Sequence, residues 1–189
     1  MKCATVAVFL TLGLASFGAS PVVPRPAKDF TVVEPSGRQI KLSSLKGKVV
    51  SIEFLFTTCP HCQAASKVFT QLQQELGPKG FQALGVAFDE ATAEKTARFK
   101  QQFGVGYPVG FATQDVVMNY LGISVMERMT VPQVMIIDRK GQVRAQSEPL
   151  GTEQLSDLKY LRTMIGDLLK ESGSPRSSAK KAAVTAAVK

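Results

Sequence analysis

Two sulfurs and an imidazole stand together at Cys59-Pro60-His61-Cys62, and His61 is the one histidine of the chain. Sulfurs at this spacing lie within disulfide reach on a helix, so one can attack another chain's disulfide and the second can resolve the adduct. Pro60 suits a first helical position, where its missing N–H costs nothing. Cys59 then sits at the N-cap, facing unpaired backbone N–H groups and the positive end of the helix dipole. Both favour thiolate over thiol, and a protonated His61 beside the sulfur adds to that. Cys62, one turn on, is the less exposed of the pair. Three chemistries compete: a static disulfide, half of a zinc or copper site, and reversible dithiol–disulfide exchange. A static bridge needs no His between its sulfurs and gains little from closing so short a loop. A metal site is short of ligands, because the remaining Cys is Cys3 and there is no second His. Exchange is the favoured reading. It uses the Cys59–Cys62 disulfide itself and needs no bound cofactor or metal.

The elements around the pair agree with that reading. Val49 to Phe56 is a nearly continuous apolar run with β-branched and aromatic residues, the pattern of a strand buried on both faces. From Cys59, apolar residues recur at Ala65, Val68, Phe69, Leu72 and Leu76, which is helical spacing, and Gly77-Pro78 ends it. The CxxC pair therefore falls where a buried strand gives way to a helix. Asp29–Val33 and Gln39–Leu42 are short strands around Pro35-Ser36-Gly37. Further strands are predicted at Phe81–Phe88, Val109–Ala112, Val134–Ile137 and Gln142–Gln146, the last two forming a hairpin across Asp138–Gly141. Helices are predicted at Thr92–Phe103, Asp115–Leu121 and, unbroken, Thr152–Lys170. Phe54, Phe56 and Phe88 read as core, and Lys95, Arg98 and Lys100 as a solvated helix face. Alternating strands and helices specify an α/β layered domain over residues 29–171, with helices on both faces of the sheet.

The chain has 189 residues, 44% apolar and 20% charged, with a formal charge of +8. Its mean hydropathy is +0.05. These values fit one globular domain with an apolar end, and exclude a collagen, a coiled coil and a wholly disordered chain. Three Cys are too few for a disulfide-stapled mini-protein. Residues 1–20 combine Lys2, the apolar run Val6–Leu14 and a small-residue stretch Ala15–Ser20. They read as an export signal, with a short uncleaved membrane anchor as the rival. Export places the Cys pair in an oxidising, extracytoplasmic compartment. Residues 21–28 are a Pro-rich, extended spacer. Residues 172–189 form a disordered basic tail with Arg176, Lys180, Lys181 and Lys189 and no acid. It reads as solvated chain rather than a nucleic-acid arm.

On the residues LSSLKGKVVSIEFLFTTCPHC, FQALGVAFDE, YPVGFATQ…YLGI and TVPQVMIIDRKGQV, roughly residues 28–170 resemble the thioredoxin superfamily. Within it the chain is similar to the exported TlpA/ResA-like thiol–disulfide oxidoreductases, near the redoxin (AhpC/TSA) group. The resemblance implies a thioredoxin-like fold with a central mixed sheet. It also implies a cis bond between Val131 and Pro132, with the proline against the CxxC pair and the preceding backbone pairing with bound substrate. Glu53 falls where such proteins often bury an acid that relays a proton for the second Cys; the alternative is an exposed strip shared with Ser51. Some relatives use a Glu three residues after the second Cys, a position held here by Ala65. The implied partners are protein thiols and disulfides of the cell envelope, apocytochrome c among them, and a redox protein that recycles the pair. Two features pull the direction of electron flow apart. Thr58 replaces the usual Trp of the reductases, and Pro60-His61 with Val131-Pro132 is similar to the oxidant DsbA.

Two other functions compete. A thiol peroxidase of the redoxin group would carry Pro seven and Thr or Ser three residues before the attacking Cys, where this chain has Ile52 and Phe56. A copper-handling module would use Cys59, Cys62 and a methionine such as Met126 or Met129, although methionines there more often pack.

Overall fold

The computed structural model describes residues 22–171 except 91 and 125. The expected leader at 1–20 and the expected tail at 172–189 lie outside the described residues. Among the described residues, no helix is long and apolar enough to cross a membrane.

Three strands supply the parallel centre. β4 (Val49–Leu55) pairs in parallel with β5 (Phe81–Ala87), and β5 in parallel with β6 (Val109–Phe111). On the other side of β4 the hairpin of β7 (Gln133–Ile137) and β8 (Gln142–Gln146) runs antiparallel. A two-residue strand, β1 (Arg25–Pro26), closes that edge against β8. The sheet is thus mixed and six-stranded, in the order β1-β8-β7-β4-β5-β6, and a separate ribbon joins β2 (Thr31–Val33) to β3 (Gln39–Lys41). Every residue of β4 is buried, Ser51 and Glu53 included, as its nearly continuous apolar run implies for a strand covered on both faces.

The alternation along β4 divides the interior. Val49 and Leu55 face a core shared with α1 (Pro60–Leu76), α2 (Ala93–Phe103) and α4 (Leu158–Lys170), through Phe69, Leu72, Phe99, Leu161 and Ile165. Val50, Ile52 and Phe54 face a second core with Phe30 and Val32 of the ribbon side and Val117 and Tyr120 of α3 (Gln114–Leu121). Helices cover both faces of the sheet. Period-two geometry puts Glu53 on the same face as Val49 and Leu55, towards α1.

Two expectations need correction. Part of the expected spacer at 21–28 joins the sheet: Arg25 and Pro26 align with Val143 and Gln142, and the Ala27 N–H donates to the Gly141 carbonyl at 2.9 Å. The edge strand β8 offers a backbone row that this segment satisfies, and Pro26 is tolerated because it lies at a sheet edge. The helix expected over 152–170 is interrupted. Glu153–Ser156 is a 3₁₀ turn, and Asp157 adopts an extended backbone (φ −84°, ψ 125°) as N-cap of α4. Its carboxylate accepts from the Tyr160 N–H at 2.7 Å, a local bond that outcompetes continued helix.

Candidate active site

Cys59 occupies the N-cap of α1, with extended backbone (φ −80°, ψ 120°) and Pro60 at the first turn. The short link from β4 is held at both ends. The Cys59 N–H donates to the Phe56 carbonyl at 3.2 Å, and the Cys59 carbonyl accepts from the Gln63 N–H at 3.0 Å. Asp89, just past the end of β5, accepts through one carboxylate oxygen from the Thr57 N–H (2.8 Å) and the Thr57 hydroxyl (2.7 Å). This clamp ties the loop before Cys59 to the neighbouring strand. Nothing in the sequence signalled it except the position of Asp89 after an apolar run.

The two sulfurs are both free thiols in very different surroundings. Cys59 is half-buried, and its S–H donates to the Val131 carbonyl across 3.7 Å. Cys62 is fully buried, with no exposed surface. Burial pushes its thiol far up from the ordinary value, and the nearby Cys59 sulfur and Glu53 carboxylate push the same way. Pro60 and His61 are exposed at the head of the helix. The Val131–Pro132 bond is cis, as is Val23–Pro24. The segment before β7 is held by Gln133, whose side-chain N–H₂ donates to the carbonyls of Thr130 (2.8 Å), Glu148 (3.1 Å) and Pro149 (3.1 Å). The Val131 carbonyl is thereby presented to Cys59 from a pinned loop.

Glu53 is fully buried, and so is Ser51, which excludes the exposed strip as their setting. One oxygen, Oε2, accepts from the Ser66 hydroxyl at 2.9 Å and from the Tyr107 hydroxyl at 2.7 Å. The other, Oε1, is buried and has no hydrogen-bond partner among the described residues. Burial raises the Glu53 carboxyl from 4.5 to about 7, and the two hydroxyls partly offset it. Sequence reasoning singled out Glu53 but missed both of its partners. Ser66 lies one turn beyond Cys62 on the same helix face, a spacing the sequence does display.

The residues of the peroxidase reading lie elsewhere. Ile52 is buried in the core on the far side of β4, and Phe56 packs edge-on against Phe88 at 4.6 Å. Of the loop's two hydroxyls, that of Thr57 is committed to Asp89, and Thr58 is exposed. Of the two methionines weighed as copper ligands, Met126 is 89% exposed, while Met129 packs against the core around Phe54.

Comparison with known proteins gives a consistent picture. The model of the AhpC/TSA family matches residues 23–146. The thiol-disulfide oxidoreductase ResA of Geobacillus thermodenitrificans is 27% identical over 118 residues, covering 62% of this chain and 64% of that one. ResA of Bacillus anthracis is 27% identical over 121 residues, covering 64% and 66%. The chain therefore matches just under two thirds of the length of these curated relatives. Among solved structures, a thiol:disulfide interchange protein of the thioredoxin family from Chlorobium tepidum superposes with a TM-score of 0.62 at 26% identity, over 78% of this chain and 100% of that one. The thioredoxin domain of a thiol-disulfide oxidoreductase from Bacteroides vulgatus gives 0.63 over 77% and 99%, at 19% identity, which speaks for the fold alone. The fold is thioredoxin-like.

Proposed function

The chain belongs to the AhpC/TSA family, and from that premise we propose that it is a thiol–disulfide oxidoreductase acting on other proteins through Cys59 and Cys62. One observation carries the proposal: an accessible sulfur at the mouth of α1 stands one helical turn from a second sulfur that is fully buried. A sulfur with access and a free helix end is suited to attack or be attacked, and a buried one to act within the molecule. The names borne by the ResA relatives and the Chlorobium tepidum structure support the same chemistry.

The roles follow. Cys59 attacks a substrate disulfide, breaking its S–S bond, and forms a mixed disulfide while one substrate sulfur leaves as thiolate. Cys62 then attacks Cys59 Sγ. The Cys59–Cys62 disulfide forms, the second substrate thiolate leaves, and two electrons have passed from the pair to the substrate. In the reverse direction the same steps oxidise a substrate dithiol. Pro60 starts the helix at Cys59, and His61 biases the sulfur towards thiolate when protonated. The Val131 carbonyl and Pro132 line the place where a substrate strand lies, and Glu53 handles the Cys62 proton. The pair is its own redox group, with no bound cofactor. The leader-like residues 1–20 support an extracytoplasmic site of action, anchored or released. Protein thiols of the envelope, such as those of apocytochrome c, are then the substrates, and a second redox protein resets the pair.

The test is exchange with a disulfide-bonded model protein. Cys59→Ser abolishes it, and Cys62→Ala accumulates mixed disulfides with substrates; unchanged turnover by Cys59→Ser sinks the proposal. The potential of the couple sets the direction. A value above about −180 mV makes the pair an oxidant, as Pro60-His61 argues, and a value near −270 mV a reductant.

A further inference from the structure

The Glu53 carboxyl is gripped on one side only. Ser66 and Tyr107 both donate to Oε2, so that oxygen's two lone-pair directions are filled, while Oε1 is buried and has no partner among the described residues. The grip is built from three separate elements. Ser66 comes from α1, four positions after Cys62. Tyr107 comes from the segment leading into β6. Gly85 of β5 is in register with Glu53 across the sheet. A Cβ at Gly85 would meet Val109 Cγ2 at 3.0 Å and Tyr107 Cε2 at 3.4 Å. The bare backbone opposite Glu53 is thus what leaves room for the Tyr107 ring to reach the carboxyl.

We propose that Tyr107 and Ser66 are positioning residues for the resolving half of the exchange: they hold Glu53 by Oε2 and leave Oε1 as the one atom that takes and returns the Cys62 proton. This rests on the exchange chemistry proposed above. As Cys62 resolves a mixed disulfide its S–H bond breaks and the proton goes to Oε1. Its sulfur bonds to Cys59 Sγ, and the Cys59–substrate bond breaks with its electron pair leaving on the substrate thiolate. In the opposite direction Cys62 is expelled and takes the proton back from Oε1. A carboxylate free to rotate would offer the proton either oxygen; the two hydroxyls remove that choice.

The same contacts set the pH at which the atom is ready. The titratable groups facing Glu53 are Tyr107 and Cys62. Its other neighbours across the sheet are Gly85 on β5 and Val134 on β7, and α4 adds the apolar Leu161 and Ile165 to that core. No Lys, Arg or His among the described residues bonds to it. Burial favours the acid, and each donated hydrogen bond favours the carboxylate. Removing the Tyr107 hydroxyl therefore moves the titration upward, by about one pH unit for one hydrogen bond to a charged group.

The full chain in a Cys3→Ala background, reacted with Ellman's reagent, reads both halves. The first release of nitrothiobenzoate reports attack by Cys59, and the second reports resolution by Cys62. Tyr107→Phe leaves the first phase unchanged. It shifts the pH limb of the second phase up by about one unit and slows it about fivefold at pH 7. Ser66→Ala shifts the limb in the same sense, Ser66→Thr restores it, and Glu53→Gln abolishes it. The infrared carbonyl band lost in Glu53→Gln reports the carboxyl directly, and its midpoint moves with the limb. A limb or band midpoint that stays in place in both Tyr107→Phe and Ser66→Ala overturns the assignment. Absence of any second release from the parent chain rejects the exchange reading instead. The band midpoint in Tyr107→Phe then judges the grip alone, and an unmoved midpoint overturns it.

Discussion

Burying one carboxyl ties the folded chain to pH. Glu53 titrates at about 7 in the fold and at 4.5 when exposed. Between those values the folded chain holds a proton that the unfolded chain has released. Stability is therefore full below about pH 4.5, falls as pH rises through about 7, and levels off beyond. The difference is worth about 3 kcal/mol. Glu53→Gln keeps an acceptor for Ser66 and Tyr107 and removes the titration. Urea unfolding at pH 5 and pH 8 reads the outcome: the variant gains on the parent chain by about 2–3 kcal/mol more at pH 8 than at pH 5. An equal difference at both pH values contradicts the burial argument. At this scale the sequence speaks through residue type and spacing. Cys59, Pro60 and Cys62 are rare enough in their setting to be read directly, whereas Pro132 is singled out only through the family resemblance. Glu53 is read only in part, because strand alternation puts it on one face with Ser51 without saying that the face is covered. Ser66, Tyr107 and Asp89 go unread, because their contacts span 13, 54 and 32 positions along the chain.

Elements are legible in the sequence when their own residues decide them, and obscure when a neighbour does. β4 and β5 are mostly apolar, and α1 shows its period and its start, so each is recoverable alone. β1 has two residues, one of them proline, and exists because β8 needs a partner. The break before α4 hides inside a continuous apolar period, since Leu155 and Leu158 keep the spacing while Asp157 caps. The ribbon of β2 and β3 is a third case. Its strands are visible, but what they cover is not. Val32 and Val33 lie directly on Gly110 of β6: a Cβ there would collide with the Val33 carbonyl oxygen and meet Val32 Cγ1 at 2.6 Å. Backbone cannot swing aside as a side-chain end can, so Gly110→Ala must lift the ribbon from the sheet. The expected loss is about 1–3 kcal/mol, measured as a lower urea midpoint with an unchanged slope. An unaltered midpoint means the ribbon is not seated on β6.

Across the whole molecule, folding and redox state are coupled. The helix mouth at Cys59 and the buried setting of Cys62 exist only in the folded chain, while the unfolded chain exposes both sulfurs. The free end of α1 at Cys59 is a favourable place for a sulfur anion, available when the pair is reduced and lost when it is joined. The loop closed by the disulfide is too short to restrain the unfolded chain much, so little stability is regained through that route. The helix-end term favours the reduced fold, and the opposing loop term is small. A thermodynamic cycle equates the stability difference between the two forms with the potential of the folded couple relative to the same CxxC pair unfolded. Each 1.4 kcal/mol corresponds to about 30 mV. The expected outcome is a reduced chain more stable than the oxidised one in urea by at least about 1.4 kcal/mol, and a couple correspondingly more oxidising than its unfolded counterpart. Unfolding both forms at pH 7, with Cys3→Ala to keep the count of thiols to the active pair, measures it. An oxidised chain that equals or exceeds the reduced one in stability removes the oxidant from consideration. The helix mouth would then serve a donor of electrons, with the same two sulfurs working in the opposite sense.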